Sequence, residues 1–398
     1  MGATGDRIVS DGLAGRWAAA DQARRANRAT LARALVEARD RTLGQFAAFE
    51  SALGPGLRVP CTPELNPPLW ELGHVGWFAD WWIARHAQRD RGTGADPDAP
   101  RSPARQAMRG LDADALYNSS TVAHDTRWHL ALPDADAVRA DLAAGLRDTL
   151  ALLKQADETD EALYFFRLAL FHEDMHAEAA VYMAQTLGID PGDTPRALLP
   201  PPAGSLLVPA GEVRLGHDGA GFAFDNELGA HTVRVEAFEI DAHAVRWSQY
   251  LPWVEAGGVA TPRHLRHTPL GWEQQRFGQW QALDLQAPAC HLSADEARAW
   301  CRWAGRRLPT EAEWEHAART LTGFAWGEVW EWTASAFAPY PGFVPHPYRD
   351  YSQPWFDGRP VLKGAGPGTA PRMRHPGYRN FFTAGRNDIH AGFRSVAP

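Results

Sequence analysis

Eighteen residues near the middle of the chain, GIDPGDTPRALLPPPAGS (188–205), contain five prolines and three glycines. No helix or central strand runs through such a stretch. Proline removes an amide donor, and glycine loses the most conformational freedom on ordering. Any fold of the 398-residue chain is therefore divided here. We take 191–205 as a linker between a unit at 1–190 and a unit at 206–398.

The two flanks have different textures. Upstream, residues 14–52 are rich in Ala, Leu and Arg and contain no proline, which predicts a long helix. LWELGHVGWFADWWIARH (69–86) predicts a second, with Leu69, Leu72, Trp77 and Trp81 at helical spacing. Residues 136–155 and 160–187 predict a third and a fourth, and four such helices suggest an antiparallel bundle. Residues 89–110 read as a loop rich in Gly, Pro, Arg and Asp. Downstream, short alternating stretches and Gly-rich turns predict an irregular α+β unit. One helix stands out there, SADEARAWCRWAG (293–305), with Ser293 and Glu296 in capping-box register.

Bulk properties exclude several roles. A net charge of −8 without a long basic run argues against nucleic-acid binding. No apolar run approaches the ~20 residues that span a bilayer, so no membrane role is expected. The first thirty residues lack the apolar segment of a signal peptide. Cys61, Cys290 and Cys301 are too scattered for a disulfide framework, and a reducing cytoplasm is the expected location. Oligomeric state is not legible.

Chemistry enters with FHEDMH (171–176), a match to H-E-x-x-H. His172 and His176 lie one helical turn apart and share a face. One reading is a zinc hydrolase with Glu173 as the base that activates water. That reading needs a downstream ligand, and the chain continues AEAAVYM and then into the Pro/Gly break. The other reading takes His74 from the second helix as third ligand, which leaves coordination positions open for catalysis. Glu178 is a candidate to orient a ligand.

GRRLPTEAEWEHAAR (305–319) resembles the signature of the formylglycine-generating, sulfatase-modifying-factor domain, and WEWTASAFAPYPGF (330–343) and YRNFF…AGFRSVA (378–397) fit its C-terminal part. That resemblance implies a C-type-lectin-like fold. The first half, with LWELGHVGWFADWW and HEDMH, is similar to a DinB-type four-helix bundle with a three-histidine iron site. Together they resemble the ergothioneine-pathway sulfoxide synthases and their selenoneine-forming relatives.

The resemblance implies Fe(II) held by His74, His172 and His176, with O2 as co-substrate and hercynine, the trimethylated betaine of histidine, as substrate. A thiol or selenol is joined to the imidazole ring of hercynine, giving a sulfoxide or selenoxide. It further implies substrate contacts from Arg379, Asn380 and Arg386, and a tyrosine proton donor, Tyr348 or Tyr351. Trp332 and Trp355 are read as packing residues.

The chain departs from the ergothioneine pattern in three places. Met175 stands where relatives carry a glutamine that touches the substrate. Phe381 and Phe382 follow the Arg379–Asn380 pair, where some relatives have an aromatic residue and an aspartate. The segment expected to bind the donor's carboxylates, 116–134, holds Arg127 as its only Arg or Lys. A donor with two carboxylates calls for several arginines. The expectation is therefore a selenoneine synthase using a selenosugar, with γ-glutamylcysteine or cysteine as the alternative donor.

Overall fold

The computed structural model describes residues 15–102, 106–107, 111–192 and 204–398. Most of the expected linker, 193–203, lies outside the described residues.

The first half is helical. α1 (Ala18–Arg24) and α2 (Arg28–Leu53) replace the single helix expected over 14–52. The break falls where Asn27 leaves helical geometry and accepts a hydrogen bond from the Thr30 amide, a local cap that the Ala/Leu/Arg composition masks. α3 (Pro68–Ala79) starts on a proline at its first position and runs into a π-helical turn at Asp80–Ala84. A two-residue pairing of β1 (Gln106–Ala107) with β2 (Leu111–Asp112) precedes the short α4 (Ala113–Tyr117). α5 (Ala135–Gln155) is capped by Asp134. α6 (Asp160–Leu187) is capped by Thr159 and stops at Gly188, which takes the left-handed conformation glycine favours (φ 72°). α2, α3, α5 and α6 pack against one another. Nearly every residue of α6 from Ala162 to Asp174 is buried, so this helix is the centre of the bundle.

The second half is an irregular α+β unit. β3 (Ser205–Val208) pairs with β6 (Phe238–Asp241), and β4 (Gly211–Leu215) with β5 (His231–Val235). β7 (Leu265–Thr268), β8 (Gly271–Arg276) and β9 (Gln279–Ala282) form a small meander. β10 (Trp330–Ala336), β11 (Pro360–Gly364), β12 (Asn380–Phe381) and β13 (Ala391–Phe393) make a four-stranded sheet, with β10 and β13 parallel. Three helices join them where one was expected: α7 (Trp247–Glu255), α8 (Ala294–Trp303) and α9 (Glu311–Thr320). The capping box of Ser293 and Glu296 on α8 is present. α9 carries a second box of the same kind, Thr310 with Glu313. α7 contains Pro252, which hides it from a periodicity reading.

The halves are joined by more than a linker. One continuous apolar core takes Leu35, Phe78 and Phe166 from the bundle and Trp247, Trp330 and Phe393 from the second unit. Buried ion pairs cross the same boundary: Arg24 with Glu227, and Arg372 with Asp174. Among the described residues no helix is long and apolar enough to cross a membrane.

Candidate metal centre and substrate cleft

α3 and α6 bring His74, His172 and His176 together. One ligand nitrogen from each lies within 4.8 Å of the others, and among the described residues this is the one such group of three or more metal-ligating side chains. His172 and His176 meet through helical spacing, with ring centroids 4.4 Å apart. His74 approaches them at 5.1 and 4.8 Å.

Each ring is oriented by its surroundings. His74 Nδ1 sits 2.8 Å from the Tyr117 carbonyl oxygen, so Nδ1–H donates and Nε2 keeps its lone pair. Gly73 makes that contact possible: a Cβ there would lie 2.2 Å from the Tyr117 ring. His176 Nδ1 donates to Glu71 Oε2 at 2.5 Å, which frees its Nε2 in the same way. The His172 ring stacks on Phe78 (3.5 Å between centroids, 5° between planes). Glu71 was absent from the sequence expectations. Its i, i+3 spacing puts it on the face of His74, but its partner His176 lies on another helix, which no local spacing reveals.

Electrostatics keep the set ready for a cation. Burial, followed by the nearby His176, lowers His74 to about 3, and burial drives His172 far below the usual imidazole range. Both rings are therefore neutral at pH 7. Burial alone would raise Glu71, but its interaction with His176 outweighs that and brings it to about 2. An ionised carboxylate behind a histidine is the usual arrangement behind a metal-ligating imidazole. Three imidazoles converging at one point, two of them fixed in orientation by hydrogen bonds, fit a first-row transition metal.

Glu173 faces away from this centre. Both its oxygens are held by the buried Arg39 (2.8 and 3.1 Å). The hydrolase reading thus loses its base. Glu178 is engaged with Trp330 (2.7 Å) and Thr369 (2.6 Å) rather than with a histidine.

A cleft of about 660 Å³ opens over the histidines, bordered by His172 and His176 on the bundle side and by Tyr348, Tyr351, Asn380 and Phe381 on the other. Met175 lies on its wall, 3.4 Å from the Tyr378 hydroxyl. Tyr348 stands edge-on to His172 at 6.2 Å and against Phe78 at 5.0 Å. Tyr351 stacks on Phe224 and shares a hydrogen bond with Tyr378 at 3.1 Å. Burial raises both phenols, so both stay protonated. Their loop is held from below by buried Asp225, which accepts hydrogen bonds from the Ser352 hydroxyl and the His346 amide.

The predicted arginines divide. Arg386 borders the cleft but is paired with Asp388 (2.5 and 2.6 Å). Arg127 borders it too, bonded to Asn66 (2.9 Å) and stacked over Trp70 at 3.9 Å. Arg379 is the correction. It is 1% exposed and is held by Glu311 (2.9 and 3.1 Å) and by the Asn226 carbonyl, away from the cleft. A motif places a residue in the chain but does not choose which side of a strand it faces. Trp332 is fully buried and bonds to the Leu292 carbonyl, whereas Trp355 is half-exposed at the cleft rim.

Residues 192–328 match the Sulfatase-modifying factor enzyme 1-like domain family. Over 449 residues the chain is 30% identical to a hercynine oxygenase of Mycolicibacterium smegmatis, covering 92% of this chain and 98% of that protein. A hercynine oxygenase of Mycobacterium tuberculosis is likewise 30% identical, over 90% of this chain and 96% of its own length. A formylglycine-generating enzyme of Streptomyces coelicolor is 35% identical, over 31% of this chain and 51% of that protein.

Proposed function

This chain belongs to the hercynine oxygenase family, and from that premise we propose that it joins selenium or sulfur to the imidazole ring of hercynine at the cleft above His74, His172 and His176. The observation that carries the reading is this juxtaposition of three converging imidazoles and an aromatic-walled cleft. In the proposed reaction hercynine loses its ring C–H and the donor its Se–H or S–H. O2 supplies one oxygen to the selenoxide or sulfoxide and the other to water, which balances atoms and electrons.

His74, His172 and His176 would hold the metal. Fe(II) bound there would supply the redox chemistry toward O2 that zinc lacks. The remaining work belongs to side chains. Tyr378, Phe381 and Phe382 line the cleft and offer aromatic faces to the trimethylammonium group of hercynine. Asn380 on β12 offers an amide to its polar end. Tyr348 is the proposed proton donor, because it is the phenol packed against His172, while the Tyr351 hydroxyl is engaged with Tyr378. The second unit closes over the bundle and restricts water at the reacting atoms.

The donor is proposed to be a weakly anionic selenosugar. Both cleft arginines are already engaged, Arg386 with Asp388 and Arg127 with Asn66, and the wall carboxylates Glu64 and Asp350 are partnered by Arg263 and Ser120. Ser119 and Ser120 bring hydroxyl groups suited to a sugar to the cleft wall. One observation favours cysteine or γ-glutamylcysteine as a second reading: among the described residues the buried Arg127 Nε has no partner. The free thiols of all three cysteines accord with a cytoplasmic setting.

The deciding measurement supplies iron-loaded protein and hercynine with selenosugar, γ-glutamylcysteine or cysteine in turn. Oxygen uptake and product mass are followed. A hercynyl selenoxide formed from the selenosugar supports the full reading. A sulfoxide from a thiol alone replaces the donor, and no uptake with any donor overturns the reading.

A further inference from the structure

A second imidazole cluster lies outside the cleft. His264 comes from the segment leading into β7, His291 from the segment before α8, and His390 from the approach to β13. Ring centroids are 4.8 Å apart for His264 and His291, and 4.7 Å for His291 and His390. The first triad spans 4.4 to 5.1 Å. The proposed reaction uses none of these three residues.

Each ring carries a bare nitrogen. Among the described residues, His264 Nε2, His291 Nδ1 and His390 Nδ1 are buried without a hydrogen-bond partner. His264 and His291 are engaged through the opposite nitrogen, His264 Nδ1 with Gln275 Oε1 (3.4 Å) and His291 with the Asp388 backbone. A metal-ligating imidazole has this pattern, one nitrogen donating its proton to an oxygen and the other keeping its lone pair. Burial lowers the pKa of all three, so those lone pairs are free at neutral pH.

Two further features mark the cluster. His264 (φ 64°) and His291 (φ 59°) both occupy the left-handed backbone region, which is unfavourable for a non-glycine residue. Such strain persists where the surrounding structure demands a side-chain position. His291 and His390 also border a cavity of about 100 Å³, shared with Cys290, Gln275 and Glu328. The surrounding charges include both signs. Arg263 is paired with Glu64, Arg246 with Glu328 and Arg386 with Asp388, and Arg276 lies near His390.

We propose that His264, His291 and His390 form a second site for a borderline-soft divalent transition metal such as Zn²⁺, separate from the cleft. Only the first triad already brings three ligand atoms within 4.8 Å among the described residues. In the proposed site a cation draws the three bare nitrogens together, with His291 and His390 at the cavity and His264 beside His291. Water could satisfy one such nitrogen. Three adjacent acceptors on neutral rings are better matched by a single cation.

The test titrates metal-free full-length protein with Co²⁺, following ligand-field absorption and bound metal after gel filtration. The wild type is expected to bind about two equivalents, and His172→Ala and His390→Phe about one each, with different spectra. Circular dichroism establishes that each variant is folded, and His291→Ala provides a second probe of the same site. A wild type that stops at about one equivalent, lost in His172→Ala, overturns the proposal. So does a folded His390→Phe and a folded His291→Ala that both retain the wild-type stoichiometry. Loss of binding at the cleft site would appear separately, as a wild type whose single equivalent survives His172→Ala.

Discussion

Glu71 shows how much one side chain can decide about the centre. It sits behind His176, with a second oxygen held by Asn66 at 2.6 Å. Glu71→Gln keeps an acceptor but removes the charge. It is expected to weaken metal binding about 10–100-fold, measured by competition with a chromophoric chelator. Tyr348 makes a different prediction. Tyr348→Phe keeps the packing against Phe78 and His172 and removes only the proton. Turnover is expected to fall about 10²-fold while hercynine affinity, read by calorimetry, stays near wild type. An equal loss in Tyr351→Phe with none in Tyr348→Phe would exchange the two roles. These residues also divide what the chain reveals. His172, His176 and His74 are legible because helical spacing and bundle geometry constrain them. Arg379 was misplaced because a motif does not say toward which neighbour a side chain turns.

Elements position the site through close approach. α3 can lie against Tyr117 only because residue 73 has no side chain. Gly73→Ala would force the Tyr117 ring or the helix aside and move the carbonyl that orients His74. The expected result is a destabilisation of about 1–3 kcal/mol together with weaker metal binding, seen in chemical denaturation and metal titration of the same variant. Full stability with unchanged metal affinity would show that α3 moves freely. The bundle helices were legible from composition and periodicity. α7 and α9 were not: a proline interrupts one, and the other lies inside a motif read for its resemblance rather than for its Thr310–Glu313 cap. The break between α1 and α2 rests on a single cap bond at Asn27.

The whole molecule behaves as one packed body within its described residues. The apolar core is continuous across both halves, and buried ions such as Asp174 find their partners in the opposite half. Calorimetry is expected to show a single unfolding transition, and two well-separated transitions would contradict the shared core. Acid should weaken the fold. Burial lowers His346 and His375 to about 4 and His390 to about 3, below the unfolded value of 6.5. Each binds its proton more readily when unfolded. The stability they allow is complete above about pH 6.5 and declines as pH falls from there toward about 4. Denaturant midpoints measured between pH 7 and pH 4 on metal-free protein check this, and a flat profile would show that these rings are solvated.

Spacing and composition by themselves determined that the chain has a helical half and a turn-rich half and that His172 and His176 share a face. Motif resemblance pointed to the family. These are local facts, set by backbone periodicity, proline and glycine chemistry and short motifs. The tertiary structure alone decided that Glu71 stands behind His176, that Glu173 is held by Arg39, that Arg379 turns to Glu311, and that three further histidines meet near β13. Those outcomes depend on which distant segments pack together, and packing follows from the shape and charge of the assembled core rather than from any one stretch of sequence.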